Sequence, residues 1–74
     1  MDIIKVNQQT VKADMEKCAF EINCILAQPE QEESLSKLSK ATARYSRLSS
    51  HMQVLNQLET QTQQAQEQQP PNES

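Results

Sequence analysis

Glycine and tryptophan are absent from these 74 residues, and the only aromatic side chains are Phe20 and Tyr45. A β-rich chain needs turn residues at short intervals, so a sequence without glycine argues against strands and hairpin turns. The same absence removes every glycine-rich phosphate loop. Two aromatics are too few to anchor a large core. Proline occurs three times, as Pro29, Pro70 and Pro71, so one proline alone interrupts the body of the chain. No apolar run approaches the roughly 20 residues of a membrane-spanning helix. The apolar start, Met1 to Val6, is short for a secretory leader and contains Asp2 and Lys5. The expectation is a cytoplasmic protein that does not enter a membrane.

Reactive groups are equally scarce. His51 is the single histidine, and it is distant in sequence from both cysteines, Cys18 and Cys24. Six residues apart on a helix, those cysteines point about 120° from each other and lie about 9 Å apart along the axis. A disulfide needs Cα atoms within roughly 7 Å, so they do not bridge within one helix. They read as small apolar residues. No cluster has metal-ligand spacing, and an isolated hairpin offers no pocket for substrate. Neither catalysis, nor a metal, nor a cofactor is expected.

What the sequence does contain is two seven-residue repeats of apolar residues, one on each side of Pro29. The first runs Ile4, Val11, Cys18, Ile25, interleaved with Met15 and Ile22. The second runs Leu38, Tyr45, Met52, interleaved with Ala41, Leu48 and Leu55. Alternating steps of three and four place each set along one helix face. Abundant Gln, Glu, Lys, Leu and Ala suit helices. The predicted fold is all-α: an antiparallel two-helix hairpin with a coiled-coil-like seam. Val11, Met15, Cys18, Ile22 and Ile25 would pack inside it against Leu38, Ala41, Tyr45, Leu48, Met52 and Leu55.

The boundaries follow from local chemistry. Asp2 or Asn7 caps the first helix, expected over about 3–27. Pro29 ends it, because the residue before proline disfavours helical backbone. Proline also suits the first turn of a following helix. Glu30, Glu32 and Glu33 would complement the positive end of that helix's dipole, and Glu33 is spaced to pair with Lys37. The turn is expected over about 28–31 and the second helix over about 31–62. A link this short favours antiparallel neighbours. Beyond Leu58 glutamine dominates and apolar spacing is lost, which predicts a disordered tail over 63–74.

The first helix carries a second apolar column. Val6, Ala13, Phe20 and Ala27 recur at the position that should face water, and Cys24 lies one turn beyond Phe20. A helix packed against one neighbour has no use for this. These five residues are therefore the candidate partner-binding surface. The partner is another protein or a second copy, the latter giving a four-helix-bundle dimer.

The second helix differs. From Ser34 to Leu58 every formal charge is positive: Lys37, Lys40, Arg44 and Arg47 follow at steps of three, four and three, and His51 extends the stripe. The stripe is placed to meet acidic groups of a partner, or Asp14 and Glu21 of the first helix. With a net charge of −3 and no interleaved aromatics, it falls short of a nucleic-acid footprint.

Two amphipathic helices (Met15-Glu16-Lys17 through Ile25-Leu26 in the first), a tight polar link at Gln28-Pro29-Glu30-Gln31 and a basic second helix resemble one family. They look like the small co-chaperones of type III secretion needle subunits, over about Ile3 to Leu58. The resemblance implies a larger helical-repeat chaperone as partner. Together the two would hold the needle subunit soluble in the bacterial cytosol before export. The long glutamine-rich end departs from that pattern. Two other classes fit the same helices: a self-associating structural coiled coil, and a regulatory adaptor.

Overall fold

The computed structural model describes the backbone of residues 1–68 and the side chains as far as residue 64. It contains two helices, α1 (Ile3–Ala27) and α2 (Ser34–Gln68). Asp2 caps α1. Its backbone is extended (φ −95°, ψ 99°), and its carboxylate accepts from the N–H groups of Ile4 at 3.0 Å and Lys5 at 3.1 Å. Two of the orphan donors of the first turn are thereby satisfied. At the other end the Gln28 N–H donates to the Ile25 carbonyl, and Pro29 follows, which cannot continue the helix.

The helices are antiparallel neighbours. Gln8 meets Asn56 through a hydrogen bond from Nε2 to Oδ1 at 3.0 Å. Cys18 meets Ala41, its thiol donating to the Ala41 carbonyl at 3.1 Å. At the turn the Ser34 hydroxyl donates to the Gln28 carbonyl at 3.0 Å. Residue numbers fall along α2 as they rise along α1.

The repeats seen in the sequence form the seam. On α1 the less exposed side chains are Ile4, Gln8, Val11, Met15, Cys18, Ile22 and Ile25, with Ala19 beside them. On α2 they are Ser34, Leu38, Ala41, Leu48, Ser49, Met52, Leu55 and Glu59. Among the described residues, four apolar side chains are buried, Val11, Cys18, Ala41 and Leu55, and Cys18 most completely. Tyr45 departs from its expected place inside the seam and is 37% exposed. It follows Ala41 by one turn, where the Cys18 contact brings the helices close. A ring with a polar tip sits better at such an edge.

The link is longer than expected. It runs from Gln28 to Glu33, so α2 begins at Ser34 rather than near residue 31. Pro29 and the three glutamates therefore precede α2 instead of forming its first turn. Two successive turns account for this, with Gln31 N–H donating to the Gln28 carbonyl at 3.3 Å and Ser34 N–H to the Gln31 carbonyl at 3.2 Å. The second turn places Glu33 at φ 68°, in the left-handed region. A chain without glycine has put a Cβ where glycine is favoured, at a cost of about 1–2 kcal/mol. The Glu33 carbonyl then accepts the first α2 bond, from Lys37 N–H at 2.8 Å.

The other end of α2 also departs from expectation. The helix continues to Gln68 instead of stopping near residue 62. Glutamine, alanine and glutamate tolerate helix well, and extending a formed helix adds one hydrogen bond per residue fixed. The rest of the expected tail, 69–74, lies outside the described residues. With Gln8 opposite Asn56, α1 runs out at about the level of residue 61, and α2 extends past it.

Two stability predictions follow from this geometry. Leu55 is 6% exposed, so Leu55→Ala should cost about 2–4 kcal/mol in urea unfolding followed by circular dichroism. A loss below about 0.5 kcal/mol would place Leu55 outside the core. Glu33→Gly should raise stability by roughly 0.5–1 kcal/mol, because it relieves the left-handed backbone. A lower unfolding midpoint would show that Glu33 carries no such strain.

Candidate interaction surface

Helix geometry sets the second apolar column apart from the seam. Phe20 stands about 160° around α1 from Cys18, whose thiol faces α2. Val6, Ala13 and Ala27 repeat Phe20's position at seven-residue intervals, and all are exposed. Phe20 is 71% exposed and Val6 48%. Cys24, one turn beyond Phe20, is exposed with a free thiol. The hairpin thus exposes Val6, Ala13, Phe20 and Ala27 on one side of α1, with Cys24 at the edge, where it also lines a cleft with Ser34 and Lys37 of α2. Glu16 and Lys17 lie on either flank of the column and are also exposed. An apolar centre between polar flanks is the usual anatomy of a protein contact surface.

The basic stripe lies elsewhere. Lys37, Lys40, Arg44, Arg47 and His51 are all exposed on α2. Arg44 Nη1 approaches Glu21 Oε2 at 3.8 Å, the one ion pair among the described residues. Both side chains are more than half exposed, so the pair contributes at most a few tenths of a kcal/mol. Asp14, Lys17, Cys18, Glu21, Arg44 and Leu48 line a groove of about 240 Å³ along this flank of the seam. Arg44 therefore faces an acidic residue of the chain's own first helix, and Lys40 and Arg47 lie about 40° and 60° farther around α2.

Groups able to do chemistry do not converge. Cys18 is 1% exposed and its thiol is engaged with Ala41. His51 is exposed on α2. No three His, Cys, Asp or Glu side chains are grouped to hold a metal ion among the described residues. No helix there is long and apolar enough to cross a membrane.

Two features escaped the sequence reading. Gln8 occupies a seam position one heptad before Met15, and its bond to Asn56 places a polar pair where the repeat suggests an apolar one. A period-seven count that scored polar residues too would have found it. The second feature is at the turn. Leu26 and Leu35, near the two helix ends, are 56% and 82% exposed. With Ile25, Pro29, Ser34 and Leu38 they line a cleft of about 170 Å³. Their separation across a proline link was the available signal.

Phe20→Ala should leave the unfolding free energy within about 0.5 kcal/mol of the parent chain. Urea unfolding checks this, and a loss above about 1.5 kcal/mol would mean that the ring packs within the hairpin.

Comparison with protein-family models, with curated proteins and with solved structures finds no match to this chain.

Proposed function

We propose that this hairpin is a protein-binding module without catalytic activity, acting as a type III secretion co-chaperone in the bacterial cytoplasm. It would pair with a larger helical-repeat chaperone, and the pair would keep the needle subunit soluble until export. The observation that carries a binding role is Phe20, 71% exposed within an apolar column on the side of α1 away from α2. An isolated hairpin with four buried side chains among the described residues gains from covering that column, because chains of this size seldom stabilise themselves by a single core. The secretion assignment rests on the resemblance in size and layout described above.

On this reading the mechanism is passive. Val6, Ala13, Phe20, Cys24 and Ala27 seat against the larger chaperone and stabilise it, and the chaperone covers the aggregation-prone face of the needle subunit. Exposed Phe20 side chains also support a second reading, in which two hairpins pair through the same column as a four-helix bundle. Co-expression separates the two readings: a chaperone partner is rescued into the soluble fraction by the hairpin, whereas a structural dimer is stable without help.

Phe20→Ala should weaken the complex with the helical-repeat chaperone by about 2–4 kcal/mol, as for an aromatic at the centre of an interface. Titration calorimetry with the purified pair measures this. Affinity unchanged within about twofold, well under 1 kcal/mol, rejects this face as the contact.

A further inference from the structure

The cleft at the turn is separate from the Phe20 column. Leu26 lies about 120° around α1 from Phe20. The cleft also sits on the flank of the seam away from Glu21 and Arg44, about 140° around α1 from Glu21. Its walls are apolar: Ile25 and Leu26 from α1, Pro29 from the link, Leu35 and Leu38 from α2. They are also braced, because the Ser34 hydroxyl bonds the Gln28 carbonyl at 3.0 Å and ties the two helix ends together. Leu35 at 82% and Leu26 at 56% exposed leave much of this lining in water.

Charge identifies what would cover it. Glu30, Glu32 and Glu33 follow Pro29 directly in the link, and all three are exposed. None of them makes an ion pair among the described residues. No basic side chain lines the cleft. The nearest cation of α2 in sequence, Lys37, lines the adjoining cleft with Glu21, Cys24 and Gln31, on the other side of Ile25 and Ser34, which line both. A largely apolar cleft beside a link that carries three exposed glutamates matches one kind of occupant. We infer that the turn docks a partner helix that inserts a large aliphatic side chain between Leu26 and Leu35 and sets Lys or Arg beside Glu30, Glu32 and Glu33. The aliphatic group supplies desolvation and the cations supply orientation and rate of encounter.

The test uses the full chain, isotope-labelled, and three synthetic helical peptides: a Leu/Lys amphipathic helix, the same peptide with Lys replaced by Glu, and the same peptide with Leu replaced by Ser. Amide shifts are followed by NMR during titration. The Leu/Lys peptide should bind saturably and move resonances of residues 25–38, and the other two should bind at least roughly tenfold more weakly, a difference of one power of ten in Kd. Leu35→Ser should weaken the Leu/Lys peptide by a similar factor, with circular dichroism showing the hairpin intact, while Phe20→Ala leaves it unchanged. Equal binding of the Lys/Ser peptide would reduce the effect to charge alone and overturn the proposal. So would shifts centred on Phe20, no saturable binding, or concentration-dependent shifts at Leu26 and Leu35 without peptide, which would make a second copy the occupant. Loss of binding on Phe20→Ala would instead assign peptide binding to the column used by the proposed chaperone contact.

Discussion

The two helices are held together at mid-seam by two small side chains, Cys18 and Ala41. Both are almost fully buried, and the thiol reaches the facing helix's backbone carbonyl at 3.1 Å. Small residues on both sides allow this approach, since helix separation depends on the side chains at the contact. The consequences spread along the chain. Tyr45, one turn from Ala41, is left at the edge. The buried apolar set shrinks to Val11, Cys18, Ala41 and Leu55 among the described residues. Larger apolar groups such as Phe20, Leu26 and Leu35 remain in water. The seam is thin, and Phe20 is exposed because its register turns it about 160° from Cys18.

The hairpin's surface is divided by chemistry. One side of α1 is apolar and faces away from α2. One flank of the seam carries the charges, where Glu21 of α1 meets Arg44 of α2. The turn end joins an aliphatic cleft to three glutamates. These regions adjoin near the turn, where Ile25 and Ser34 line the clefts on both flanks of the seam. Such an arrangement suits a small protein that contacts more than one segment of a partner, or more than one partner.

Much of the fold was legible in the sequence because its signals were periodic. The seven-residue spacing of Ile4, Val11, Cys18 and Ile25, and of Leu38 and Met52, marked both helices and their facing sides, with Tyr45 of the same repeat left exposed. Asp2 and Pro29 marked the ends of α1 through capping and ring geometry. The errors arose where no period operates. Glu33 enters the left-handed region without the glycine that usually advertises it, so the link appeared shorter and α2 appeared to begin earlier. The polar stretch after Leu58 gave no apolar spacing, yet as far as Gln68 it extends a helix already begun. Gln8 and Asn56 pair through hydrogen bonding that a count of apolar residues passes over. For the candidate surface, the sequence supplied the column and the structure supplied its exposure. The turn cleft depended on how Leu26 and Leu35 meet across the link, and that is a matter of tertiary geometry.

Cys24 reports directly on whether another chain covers the outer side of α1. It is exposed with a free thiol beside Phe20, whereas Cys18 is buried. Maleimide labelling, read by mass spectrometry, compares the purified, diluted chain with the chain inside the cells that make it. Rapid modification of Cys24 in the dilute chain, slow modification in the cell and protection of Cys18 in both is the predicted result. Equal rates at Cys24 in the two settings would show that nothing covers this side of α1 and would contradict the account.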